Sequence, residues 1–408
     1  MFQIRNSTSS TRISIPSLLA VIAGALGGCA GIPMGADSRL DRAVAGGYHS
    51  GETLAVLLPQ SGRYAGASQI VRDGIVAAQQ ADPQGARPDL RFYDSESGSA
   101  VALVKRAAAD GASLVIGPLQ KSKVDDLADA STLPIPVLAL NQASGAAKPT
   151  PGLYQFSLSP EGEASEVAAK AREAGFSRAL VLYPEGPWGN RIARAFRQSW
   201  KGSGGQLAGA QVYSPSTSDY SESVTKLAER GSGADFLFLV ATEEEARQIY
   251  PQIRGKMGKE IPVYSTSHAY GGRFDPQADR SLVGLNFVEI PWLVEPARGD
   301  AVSTKGLYGN LPRLYAMGVD AYRLGSRLQW LSEHSDARVS GKTGILGMDS
   351  QGRIYRQLTL ARIETAGPVK MALAEPKKLK SFVSALSLEG IGVRMAGLGS
   401  PRLAAVQR

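Results

Sequence analysis

From Thr53 onward, short apolar runs alternate with longer stretches in which apolar residues recur at helical spacing. The run Thr53–Leu58 ends at Pro59, a glycine-rich loop (Ser61–Gly66) follows, and Ser68–Gln80 is amphipathic, so the first unit reads strand, loop, helix. The unit recurs as Leu90–Tyr93 with Ala100–Ala109, then Leu114–Ile116 with Ser122–Ala130, and closes on Val137–Leu140. Leu114-Val115-Ile116 is apolar at every position, as a parallel strand covered by helices on both faces requires.

A second series begins after Tyr154–Leu158, where Ser159-Pro160-Glu161-Gly162-Glu163 reads as a helix start, with Ser159 as cap, Pro160 in the first turn and acids complementing the dipole. Helix Glu163–Ala174, strand Ala179–Tyr183, helix Gly189–Trp200, strand Ala208–Tyr213 and helix Tyr220–Arg230 follow. Strand Phe236–Val240, helix Glu243–Arg254 and strand Val263–Ser265 complete it. The fold class is therefore α/β, with two Rossmann-like, doubly wound lobes sharing a cleft at their strand C-termini. Beyond Ile290-Pro291-Trp292 the alternation stops: Leu311–Leu331 predicts one long helix, and Lys342–Leu346 with Arg353–Arg362 predicts a hairpin about Asp349–Gly352. Residues 376–408 lack a period and read as a weakly ordered basic tail.

Composition narrows the function classes. The 408 residues are 43% apolar and 20% charged, with 46 Gly and 23 Pro, which excludes a disordered or collagen-like chain. A single cysteine excludes a disulfide framework or a Cys-rich metal site, and His49, His268 and His334 are widely spaced, so no metal or cofactor is expected. Arg5 and Arg12 precede an apolar run, Ile13–Leu26, too short to span a bilayer but suited to a signal peptide. Leu26-Gly27-Gly28-Cys29 resembles a bacterial lipobox, which implies cleavage after residue 28 and a lipid on Cys29. Ala30 follows, so by analogy with such lipoproteins the expected address is the outer membrane, facing the periplasm. Residues 29–51 then serve as a tether. Loss of Arg5 and Arg12 lowers the formal charge from +8 to +6. The remaining basic charge is diffuse, apart from Lys377-Lys378-Leu379-Lys380, and argues against a nucleic-acid partner while admitting anionic wall polymer.

The order of the segments resembles the type I periplasmic binding fold, in which two lobes are joined by three crossovers. Within it, Val115-Ile116-Gly117-Pro118-Leu119, Val137–Gln142, Phe156–Glu161, Val263–Ser267, Arg313–Ala321 and Thr343–Gly347 are similar, in that order, to the C-terminal domain of the LpoA-type activators of class A penicillin-binding proteins. The resemblance runs from about Thr53 to Lys370. It implies a bilobed domain over 52–375, with lobe 1 at 52–157 and 296–338 and lobe 2 at 158–295 and 339–375. It also implies an outer-membrane lipoprotein that binds and stimulates a peptidoglycan synthase without being an enzyme itself. Longer members carry a helical-repeat domain where this chain has the stretch after Cys29. The alternative is a periplasmic receptor for a small polar solute such as an amino acid or wall peptide.

Several strings bear on chemistry. Ser223-Val224-Thr225-Lys226 and Lys342-Thr343-Gly344 fit two elements of serine transpeptidases, but no Ser-x-Asn lies between them and Ser223 falls inside a predicted helix. Gly341-Lys342-Thr343 is no phosphate loop, because the position requiring glycine is Asp336. Asp94, Glu96 and Glu185 end predicted strands, where a glycosidase pair or merely exposed loop acids would stand. Loops at strand ends carry Ser61, Tyr64, Gln120, Asn141, Gln142 and Glu185, and also Ser265, Ser267 and His268, residue types that either hold a small polar ligand or brace the lobes. Amino-acid receptors of this fold place small hydroxyl residues after the third and fourth strands, where this chain has Gln120 and Asn141-Gln142. Trp188 and Tyr270 are candidate partner contacts, or aromatics folded back on their own lobe.

Overall fold

The computed structural model describes residues 47–145, 149–258, 261–295 and 306–372. The signal peptide, Cys29, most of the tether and the basic tail lie outside the described residues. The first half-series forms β1 (Thr53–Leu58), α1 (Ala65–Ala81), β2 (Asp89–Asp94), α2 (Ala100–Ala109), β3 (Leu114–Ile116), α3 (Lys121–Ala128), β4 (Val137–Ala139) and β5 (Leu153–Phe156). The second forms α4 (Pro160–Glu173), β6 (Arg178–Pro184), α5 (Pro187–Gly202), β7 (Gln206–Tyr213), α6 (Ser221–Arg230), β8 (Phe236–Leu239), α7 (Glu243–Met257), β9 (Val263–Ser265) and β10 (Asn286–Glu289). After the single turn α8 (Pro291–Val294) come α9 (Leu311–Gly325), α10 (Leu328–Glu333) and five strands: β11 (Val339–Ser340), β12 (Ile345–Met348), β13 (Arg353–Gln357), β14 (Thr359–Glu364) and β15 (Gly367–Lys370).

The strands make two sheets, ordered β11-β12-β13-β5-β4-β3-β1-β2 and β15-β14-β10-β9-β8-β6-β7. Parallel pairing runs from β13 to β2 in the first and from β10 to β7 in the second, and the antiparallel strands sit at one edge of each. In β1, Leu54, Val56 and Leu58 face one apolar layer with Val71, Ile75 and Met317, while Ala55 and Leu57 face another with Val104 and Leu127. Covering on both faces is why the strand shows no polar alternation. The chain passes between the sheets after β5, between β10 and α9, and at Leu358 between β13 and β14. Ser159 caps α4 by accepting the Gly162 N–H at 3.2 Å.

Two glycines set how closely α9 lies on α1. A Cβ on Gly74 would stand 2.2 Å from the Tyr315 carbonyl oxygen, and one on Gly318 would stand 2.1 Å from that of Val71, so the two backbones touch where neither helix has a side chain.

Four sequence expectations change. The predicted helix 311–331 is two helices, broken at Gly325-Ser326-Arg327. There the Tyr48 hydroxyl donates to the Tyr322 carbonyl (2.6 Å) and the Arg327 guanidinium to that of Arg323 (2.7 Å), which ends α9; a Cβ on Gly325 would strike the Tyr48 hydroxyl. Second, Tyr48 is buried against Tyr322, so the folded domain begins within the stretch expected as tether. Third, residues 339–357 were expected in lobe 2, yet β11–β13 complete the first sheet because β13 pairs parallel with β5, Arg353 opposite Gln155. Fourth, the hairpin is β12–β13 alone, since the run Arg353–Arg362 divides at Leu358 into strands of different sheets.

Candidate functional site

The crossovers bring charged residues of both lobes into one buried network. Capping by Ser159 places Glu163 on the inner side of the first turns of α4, on the same face as Ala164, Val167 and Ala171. Its Oε2 accepts the Ser267 backbone N–H at 2.9 Å and its Oε1 the Ser267 hydroxyl at 3.0 Å. His268 Nδ1 lies 3.6 Å from Oε2, and Arg356 Nη2, reaching over from β13, 3.6 Å from Oε1. Burial alone pushes this carboxyl up; His268, then Arg356 and Arg313, outweigh it and hold Glu163 at about 2.

Arg313 of α9 forms the second clasp. Its Nε donates to Glu289 Oε1 (3.1 Å), and Nη2 donates to Glu289 Oε2 and to the carbonyls of Ser267 and Tyr270, both at 3.1 Å. Nη1 donates to the Gly309 carbonyl and to Asn310 Oδ1. A helix packed on the first sheet is thereby held to the β10 end and the 267–270 turn of the second. Deeper in the same helix, buried Asp320 accepts the backbone N–H groups of Lys342 and Thr343 at 2.8 and 2.7 Å and the Thr343 hydroxyl at 2.6 Å. Burial raises its carboxyl above the ordinary range. Lys342-Thr343-Gly344 is thus a carboxylate-bound turn, and Ser223 lies on α6 of the other lobe, donating to the Val212 carbonyl. The two transpeptidase-like strings do not meet.

The sequence-predicted site residues disperse. Ser61 donates to Asp94 Oδ2 at 3.4 Å, and Gln120 accepts the Ser95 hydroxyl at 2.6 Å and donates to Glu96, so Asp94 and Glu96 brace the first sheet's edge loops. Tyr64 is exposed beneath the Arg63 guanidinium. Asn141 donates to the Leu119 carbonyl (3.0 Å) and accepts the Gln142 N–H, and both residues line an interlobe cavity of about 550 Å³ with Lys121 and Arg191. Glu185 accepts the Ser214 hydroxyl.

Three assignments need correction. Ser265 is fully buried inside β9, donating to the Leu239 carbonyl, so it faces no ligand. Ser267 spends its hydroxyl and amide on Glu163. Tyr270 is 4% exposed, its ring 5.2 Å from that of Phe287, which removes it as a partner contact. Trp188 starts α5 half-buried, 5.7 Å from the His268 ring. Sequence reasoning missed Glu163, Glu289, Arg313, Asp320 and Arg356. The available signal was a charge at a core position: Arg313 and Asp320 are seven residues apart on the otherwise apolar buried face of one helix. Among the described residues no cluster of His, Cys, Asp and Glu could hold a metal, and no helix is long and apolar enough to cross a membrane.

Two parallel-dominated α/β sheets joined by three crossovers and clasped by buried ion pairs define a bilobed protein of the type I periplasmic-binding class. Within that class the chain belongs to the family described as "LppC putative lipoprotein", whose profile matches residues 49–365. It is 32% identical over 304 residues to the penicillin-binding protein activator LpoA of Serratia proteamaculans, covering 65% of this chain and 44% of that protein. The protein of the same name from Photobacterium profundum is 27% identical over 345 residues, covering 78% and 56%. The chain thus spans about half the length of these relatives. The LpoA C-domain of Haemophilus influenzae, titled a regulator of PBP1A, superposes with a TM-score of 0.69 at 24% identity, covering 79% of this chain and 100% of that one, and bears out the fold.

Proposed function

We propose that this protein is a lipoprotein, anchored through Cys29 to the periplasmic face of the outer membrane, that binds and stimulates a class A penicillin-binding protein. The observation that carries the reading is the 304-residue match to a protein named as such an activator. The geometry supports it. Gln120 and Asn141, where a solute receptor would offer ligand groups, satisfy neighbouring protein atoms, and the Arg313–Glu289 and Glu163–Arg356 pairs hold the lobes together. A domain fixed in one setting presents a constant outer surface, and contact that favours the active state of the synthase raises that state's population by the difference in affinity. No catalytic group of this chain takes part. The test is binding of the purified protein to class A synthases of the same cell: saturable binding is expected, and its absence for the lipidated full-length chain overturns the reading.

A further inference from the structure

A second cavity, of about 440 Å³, lies beside the Leu358 crossover, between the first turns of α4, the middle of α5 and the end of β13. Most of its polar lining is occupied. Glu161 pairs with Arg191 (2.7 Å), Glu166 accepts the Leu358 N–H (3.1 Å), Asp349 binds Arg353 (2.8 Å), and the Ser199 hydroxyl donates to that of Ser165 (2.8 Å). Two lining residues differ: Arg356 Nη1 and Ser157 Oγ are buried with no hydrogen-bond partner among the described residues. The Arg356 side chain is 5% exposed and Ser157 7%. Arg356 meets Glu163 only at 3.6 Å, through its other terminal nitrogen, and that carboxylate already serves Ser267. Burial pulls the guanidinium below its ordinary range although Glu163, Glu289 and Asp320 oppose it.

Unmade hydrogen bonds at buried donors are costly, and each one kept in a folded protein calls for a reason, a partner from outside the chain among them. A guanidinium N–H and a hydroxyl in the wall of one cavity match a carboxylate, which accepts from both and neutralises the cation. We propose that this crossover cavity binds a small carboxylate-bearing ligand, its carboxylate received by Arg356 and Ser157. Gln142 and Gln198 supply amides for the rest of the molecule. Because both donors are shielded from water, a ligand reaching them displaces the side chains that cover them. The site stands independently of the synthase-activator reading.

A carboxylate of this size is carried by a peptide C-terminus or by an acidic sugar, and the test separates them. Calorimetric titration of the full-length chain uses D-alanyl-D-alanine and its C-terminal amide as one pair, and N-acetylmuramic acid and neutral N-acetylglucosamine as the other. Saturable binding of at least one acid is expected, with its neutral counterpart about ten-fold weaker or more. Ser157→Ala is expected to weaken that acid about five-fold while the melting temperature holds or rises, because the substitution removes an unpartnered hydroxyl. Arg356→Lys is expected to weaken it more than ten-fold. No binding of either acid up to about 10 mM, equal binding of acid and neutral forms, or unchanged affinity in a folded Ser157→Ala variant overturns the proposal.

Discussion

Replacing Arg313 with Met tests whether the buried clasp holds the lobes. The guanidinium is 4% exposed and its partner Glu289 fully buried, so among the described residues the variant leaves that carboxylate the Ile290 N–H at 2.7 Å as its donor. The carbonyls of Ser267 and Tyr270 lose their side-chain donor as well. Breaking a buried pair by removing one partner costs about 3–5 kcal/mol, a large share of the ~5–15 kcal/mol that holds a domain folded. We expect about 4 kcal/mol of destabilisation, read as a lower urea midpoint at neutral pH. The double variant Arg313→Met with Glu289→Leu separates charge from packing, since replacing both partners by apolar groups is often close to neutral. It should be more stable than Arg313→Met alone. A single variant within about 1 kcal/mol of the parent, or a double variant no better than the single, would refute the assignment of the clasp to this pair.

Further expectations follow from the same geometry. Glu163 is held at about 2 against an ordinary 4.5, so it contributes stability that is fully present above pH 4.5 and is lost as pH falls toward 2. The loss is on the order of 3 kcal/mol, and the stability gap between parent and Glu163→Gln, measured by urea unfolding across that window, should shrink with acidification. Gly318→Ala forces a methyl into the Val71 carbonyl and should cost about 2–3 kcal/mol, visible as a fall in melting temperature, whereas the same change at exposed Gly85, which meets nothing within 4 Å, should be mild. Trp188→Ala should weaken synthase binding about ten-fold or more while the circular dichroism spectrum is kept; equal affinity would remove the α5 start from the contact surface.

The parallel strands were legible because both-sided burial writes itself as unbroken apolar runs, and the α4 start because Ser159, Pro160 and the acids are local signals. The break after Gly325 was not legible: Leu328 and Leu331 resume burial on the other side, and the interruption depends on Tyr48, 277 positions earlier than Gly325 in the chain. Which sheet β13 joins is decided by pairing Arg353 and Ile354 with Gln155 and Phe156, a long-range choice that no nearby residue announces. The candidate site suffered most. Polar residues at strand ends have the chemistry of a binding site, yet Ser61, Gln120 and Asn141 satisfy nearby protein atoms, while the groups joining the lobes sit at helix and strand positions that apolar spacing assigns to core.

Activation of a peptidoglycan synthase, as proposed, is read from the rate of glycan polymerisation by a purified class A penicillin-binding protein titrated with the full-length chain. A saturable rise in rate is expected, with its midpoint at the binding constant measured in parallel. A rate that stays flat across a titration in which the two proteins do bind would contradict it.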